Sequence, residues 1–133
     1  MKTRMSAGEK RYVGRQKLCH IGSADRSGRP HTAPVSHAFD ERDRTLYVCT
    51  ERGARTAQNL RARPRASVAC DDYSDDWSRI KGVVMEARAK SLERGPKFER
   101  AVELLEKKFP QYRTIEIDYV IALRVEGVTS WGL

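Results

Sequence analysis

Two short polar breaks near the start of the chain decide its fold class. Asp25-Arg26-Ser27-Gly28 separates the strand-like residues 18–24 from a second such segment over 31–39, and Asp40-Glu41-Arg42-Asp43-Arg44 separates that segment from Thr45-Leu46-Tyr47-Val48-Cys49-Thr50. Each break is four or five residues long, enough for a turn but far short of the dozen or more that a crossover between parallel strands needs. The three strands must therefore run antiparallel as a meander, and a doubly wound parallel sheet is excluded.

The rest of the chain extends this pattern. Ser6-Ala7-Gly8-Glu9 has the spacing of a capping box and predicts a short helix to about Gln16. Residues 53–63 turn helical, with Ala57 and Leu60 on one side and arginines around the rest, until Pro64 ends the run. Residues 66–70 read as a fourth strand, and 80–92 as one bent strand or two short ones with Gly82 as a bulge. Gly95-Pro96 opens an amphipathic helix on which Phe98, Ala101, Val102, Leu105 and Phe109 recur at helical spacing before Pro110 stops it. The last strand is expected over 115–125, where Ile115, Ile117, Tyr119, Ile121, Leu123 and Val125 alternate, with 128–133 as a short tail carrying Trp131. The expectation is a mainly β fold, a small six-stranded antiparallel barrel closed by two or three helices, with residues 1–133 forming one domain.

Composition narrows the function classes. With 39% hydrophobic and 33% charged residues the chain is neither disordered nor fibrous. No apolar run approaches the roughly 20 residues of a membrane span. The basic start is followed at once by Glu9, Lys10 and Arg11, where a signal peptide would be apolar, so a cytoplasmic protein is expected. Cys19, Cys49 and Cys70 are too far apart for a CxxC motif and read as small buried hydrophobes. His20, His31 and His37 have no metal-ligand spacing, and Asp71, Asp72, Asp75 and Asp76 lack the glycine and closing glutamate of a calcium loop, so no metal site is expected. The net charge of +8 is uneven, with +9 in residues 1–70 and −1 in 71–133. A basic half suits nucleic acid, an anionic membrane surface or a phosphorylated small ligand.

The stretch from Cys49 to Leu60 favours the last of these. A strand ends, a turn with Gly53 follows, and a helix opens with Arg55 and Thr56. Such a junction binds phosphate, because free backbone N–H groups and the positive helix end point outward together while an arginine fork and hydroxyls complete the cradle.

Gly28-Arg29-Pro30-His31 with Pro34-Val35, the segment from Thr50 to Leu60, Pro64-Arg65-Ala66-Ser67-Val68, and Asp72-Tyr73 with Asp75-Asp76-Trp77 together resemble the pyridoxamine-phosphate-oxidase-like family of flavin-binding split barrels. Within it the chain is similar to a small subfamily assigned to the deazaflavin coenzyme F-420, also in Lys108-Phe109-Pro110-Gln111-Tyr112-Arg113 and in a tryptophan near the C-terminus, here Trp131. The likeness spans roughly residues 10–133. It implies a homodimer with FMN or F-420 at the subunit interface and hydride transfer to or from a small molecule. Pro34, Val35, Ser36 and His37 would then meet the ring system; Cys49, Thr50, Arg55 and Thr56 would hold the ribityl-phosphate chain; Trp77 and Trp131 would flank the ring or line the substrate pocket. The basic pair common in the phosphate turn is Arg55-Thr56 here and the terminal arginine-rich substrate motif is missing, which speaks against vitamin B6 oxidation.

No Ser-His-Asp, Cys-His or paired-carboxylate arrangement can be argued, so the hard chemistry would be lent by the cofactor and the catalytic group is left unassigned. His37 and Tyr73 are candidate proton donors, and Tyr73, Arg79 and Lys81 could meet an anionic substrate. Two rivals stand beside this reading. One is a non-catalytic flavin or haem carrier, whose axial ligand would come from His20, His31 or His37. The other is nucleic-acid binding through Arg52, Arg55, Arg61, Arg63 and Arg65, which lacks the aromatic platform usual beside such a stripe.

Overall fold

The computed structural model describes residues 1–133. Helix α1 (Ala7–Arg15) starts where expected, at a complete capping box. The Ser6 hydroxyl accepts from the Glu9 amide at 3.1 Å and the Ser6 amide donates to Glu9 Oε1 at 2.7 Å. Glu9 is also buried, where Ser130 Oγ donates to its other oxygen at 2.5 Å and Lys2 Nζ stands 3.1 Å away. The cap thus ties α1 to the far end of the chain.

Strands β1 (Leu18–Ala24) and β2 (Pro30–Ser36) pair antiparallel around a turn in which Asp25 Oδ1 accepts from the Ser27 and Arg29 amides, both at 2.9 Å, and Gly28 takes a φ of 89°. Next come β3 (Ala38–Asp40) and β4 (Thr45–Cys49), α2 (Arg55–Ala62), β5 (Arg65–Asp72), a short 3-10 turn at Trp77–Arg79, β6 (Lys81–Leu92), α3 (Pro96–Lys108), a second 3-10 turn at Pro110–Thr114, and β7 (Val120–Trp131). The strands make one antiparallel sheet in the order β2-β1-β5-β6-β7-β4-β3.

The sheet has seven strands where six are expected, because the second strand breaks at His37. Residues before the break pair with β1 and residues after it pair with β4. β2 and β3 are the two edges of the sheet, yet one residue joins them, so the sheet curls into a half-barrel whose edges meet at that corner. His37 pins it. The imidazole is fully buried, Nε2 lies 2.8 Å from the carbonyl of Val13 in α1, and the His37 amide donates to the Lys17 carbonyl at 3.4 Å.

Two further expectations are corrected. Residues 115–119 are not paired; β7 begins at Val120 because its neighbours end there, with Cys49 and Leu92 both opposite Val120. The same strand absorbs the expected tail, since Val128–Trp131 pairs with Gly82–Met85 of β6. The irregularity in β6 falls between Glu86 and Ala87, opposite Glu126, not at Gly82. Gly82 instead lies beneath the Trp131 ring, where any Cβ would collide with the indole.

The core has two parts. Ile21, Val68, Met85, Leu46 and Leu123 fill the barrel, and Tyr47, Leu92, Val120 and Ala122 on the outer face are covered by Ala101 and Leu105 of α3. That is why residues 120–123 are buried without alternation. Cys19 and Cys70 are buried in the barrel, where desolvation lifts their thiols to about 12. Cys49 is half-buried, a departure from the expected burial of all three, and all three thiols are free.

Candidate functional site

The end of β2, the end of β4 and the start of α2 converge. β2 and β3 are joined through His37 alone, so β2, ending at Ser36, packs beside β4, whose last residue is Cys49. Thr50 and the turn through Gly53 follow directly, and α2 opens with Arg55 exposed and Thr56 buried. α2 is held against β1, β2 and β6 by Ala57 and Leu60 in the core and by Asn59, whose side-chain amide donates to Ser23 Oγ at 3.1 Å. Ala54 stands at the N-cap and offers no side-chain acceptor. The first-turn amides, the positive helix end and an arginine without an ion-pair partner are therefore presented together beside the edge of β2.

The four expected phosphate-side residues, Cys49, Thr50, Arg55 and Thr56, thus lie along one strand-turn-helix junction, and β2, which carries Pro34, Val35 and Ser36, packs against both β4 and α2. Val35 is half-buried against the barrel core. Burial, and secondarily the nearby Asp118 carboxylate, raises the Cys49 thiol. His37 belongs to the site only through its backbone. Burial and the nearby Lys108 charge lower its imidazole to about 4, so the ring is neutral near pH 7, sealed in the corner, and reaches neither a substrate nor an iron.

Trp77 and Trp131 are elsewhere. Trp131 ends β7 whereas Val120, opposite Cys49, begins it, so roughly 35 Å of strand at about 3.3 Å per residue separates them. Trp77 is 76% exposed and Trp131 43%. The indole N–H of Trp77 donates to the Tyr73 hydroxyl at 3.4 Å, and Tyr73, Arg79, Lys81 and Gly132 line a shallow hollow of about 470 Å³ at this end. Asp72 does structural work here, accepting from the Tyr12 hydroxyl at 2.8 Å and from Gln16 at 2.9 Å. Asp76 caps the 3-10 turn through the Ser78 amide.

Tyr112, in the motif after α3, reaches the end of β2. Tyr112 places its hydroxyl 2.9 Å from Ser36 Oγ, with its ring edge-on to Phe109 at 5.9 Å between centroids. The five arginines of the basic stripe do not share a face. Arg52 pairs with Glu93, Arg61 donates to Tyr119 and Arg63 to the Arg26 carbonyl. Arg55 and Arg61 are six positions apart, about 120° around α2.

This half-barrel with a strand-turn-helix junction at one corner has known counterparts. The family model described as pyridoxamine 5'-phosphate oxidase matches residues 9–132. The chain belongs to that family. No curated protein sequence matches it significantly. Solved structures similar to this family member include a conserved hypothetical protein from Mycobacterium tuberculosis, with TM-score 0.81, 19% identity, and coverage of 97% of this chain and 86% of that one. An FAD-binding protein from Mesorhizobium loti gives TM-score 0.73 at 20% identity over 97% and 93% of the two chains. HutZ, the haem storage protein from Vibrio cholerae, gives 0.75 at 18% identity over 95% and 94%. At these identities the likeness carries the fold of the oxidase family, and ligand choice has to be argued from the residues of this chain.

Proposed function

We propose that the chain is a flavin-type oxidoreductase that binds FMN or coenzyme F-420 at the interface of a homodimer and transfers hydride to or from a small molecule. The observation that carries this reading is the uncapped start of α2, which presents Arg55 without an ion-pair partner on a helix packed against β2. A phosphate fits there on chemical grounds, since free first-turn N–H donors and an exposed guanidinium without a carboxylate partner stand at one helix start. When bound, the ring would supply the hydride chemistry that no side chain of this protein offers. The protein would contribute position. Arg55 and Thr56 would hold the phosphate, Pro34, Val35 and Ser36 would set the ring face, and Tyr112 would fix the Ser36 hydroxyl.

Membership in the oxidase family supports a cofactor at this junction, and the FAD-binding relative from Mesorhizobium loti shows that this fold accommodates a flavin. The exposure of Trp77 and Trp131, which a second copy would cover, supports the dimer. A mononucleotide cannot bridge both ends of one protomer, whereas Trp77 and Trp131 of a second copy could cover the ring.

A second reading, a haem carrier without turnover, is favoured by the likeness to HutZ. It needs an axial ligand from His20 or His31, because His37 is committed to Val13. The absorption spectrum of the purified protein separates the readings, followed by titration of the apo protein with FMN, F-420 and haem. Tight haem binding with no flavin affinity overturns the proposal.

A further inference from the structure

An open cleft of about 780 Å³ lies along the flank of α2 that faces away from Arg55. Leu60, Arg61 and Pro64 form one wall, and the end of β6 with the turn into α3 forms the other. Five cations line it, Arg52, Arg61, Lys90, Arg94 and Lys97, against the single carboxylate of Glu93, which is already paired with Arg52. The other four cations make no ion pair anywhere in the chain.

Solvated surface charges need no partner, but Arg61 is not a loose side chain. Its Nη1 donates to the Tyr119 hydroxyl at 2.9 Å, and its guanidinium carbon stands 5.8 Å from the centre of that ring. Tyr119 is only 2% exposed, and its hydroxyl is held in turn by Ser91 Oγ at 2.5 Å. The Arg52 guanidinium packs on the same ring at 6.0 Å. Glu93 already balances Arg52, so Arg61 is the charge left without a counter-ion, held against a buried aromatic before a ligand arrives. The α3 N-terminus opens on the same wall, where Gly95 has a φ of 96° and provides no side-chain cap.

We propose that this cleft is a second anion site, separate from the Arg55 junction, that takes a small ligand with several negative groups, with Arg61 as its anchor. An isolated phosphate would leave most of the lining charge unmatched; a polyphosphate or an oligocarboxylate would match it along the length of the cleft. The proposal does not rest on the cofactor reading, because its probes contain no flavin.

The test is calorimetric titration of the full chain with inorganic tripolyphosphate and, separately, with triglutamate, near physiological salt. Arg61→Ala and the double variant Arg94→Ala/Lys97→Ala should each lose about tenfold or more of the affinity. Arg29→Ala, a charge control on the β1–β2 turn, should bind as the wild type does, and Arg55→Ala, which removes any tripolyphosphate held at the junction, should leave the Arg61-dependent binding in place. Tyr119→Phe, which keeps the ring and frees Arg61, should lose less than Arg61→Ala. The probe that binds more tightly identifies the phosphate or the carboxylate source, and thermal melts establish that each variant is folded. Failure of both probes to saturate overturns the proposal. Equal losses in Arg29→Ala would also overturn it by revealing a diffuse basic surface, and abolition of all binding by Arg55→Ala would do so by leaving the junction as the one anion site.

Discussion

The hydroxyls of Ser36 and Tyr112 meet at 2.9 Å although 76 residues separate them in the chain. The contact ties the end of β2 to the turn behind α3, at the place where the proposed ring face lies. Removing one member of a partly buried neutral pair costs about 1 kcal/mol. Tyr112→Phe and Ser36→Ala should therefore each lower the free energy of unfolding by about that amount, and the double variant should lose less than the sum. Denaturant melts of the four proteins measure the coupling; strictly additive losses would mean that the bond contributes nothing.

The phosphate assignment is tested at Arg55. A charge-assisted contact of this kind is worth about 1.5–3 kcal/mol, so Arg55→Ala should weaken binding of the better cofactor by roughly ten- to a hundredfold. Arg52→Ala should matter less, because that guanidinium is already engaged by Glu93 and the Tyr119 ring. Titrations of the apo variants decide the point, and an unchanged affinity in Arg55→Ala would place the phosphate elsewhere.

What could be read from the sequence follows from how local each signal is. The capping box at Ser6, the Asp25–Gly28 turn and the Gly95-Pro96 start of α3 are each encoded within a few residues, and all three form as expected. The strand-turn-helix junction that the phosphate proposal uses is legible for the same reason, since Thr50, Arg55 and Thr56 are near neighbours in the chain. The break at His37 is not, because it depends on Val13 and Lys17 presenting carbonyls from another element while the strand-like pattern runs on through it. Nor is the start of β7, which is set by where β4 and β6 end. Ile115 and Ile117 continue the alternation without a partner strand to pair with. Tyr112 and the Arg61–Tyr119 contact are likewise products of long-range packing.

His37 gives the fold a pH dependence. Its folded pKa is pushed from 6.5 down to about 4, chiefly by burial and then by the charge of Lys108. The unfolded chain therefore takes up the proton first as pH falls. The contribution is fully present above about pH 6.5 and is lost progressively toward pH 4, to an extent of at most about 3 kcal/mol. Urea unfolding of the wild type at pH 7 and pH 4.5 should show the loss. His37→Gln, which keeps a donor for the Val13 carbonyl but does not titrate, should be less stable at pH 7 and flatter across the range. Parallel pH curves for the two proteins would assign the dependence to other groups.

The tryptophan end provides the test of the dimer. Trp77 is 76% exposed and makes one weak polar contact, to Tyr73, so Trp77→Glu should cost the isolated protomer little. At an interface the same change buries a carboxylate against apolar surface, a penalty of several kcal/mol unless it finds a partner. Light scattering of the wild type at micromolar concentration should give twice the chain mass, and Trp77→Glu should shift the population toward single chains. If the tryptophans of one copy complete the cofactor site of the other, the same variant should weaken flavin binding even though Trp77 lies outside the strand-turn-helix junction of its own protomer, at the end of the sheet where Gly82 faces Trp131. A wild-type chain that is monomeric and still binds flavin tightly would remove the interface from the model, and a dimeric Trp77→Glu with unchanged affinity would move the interface to another face.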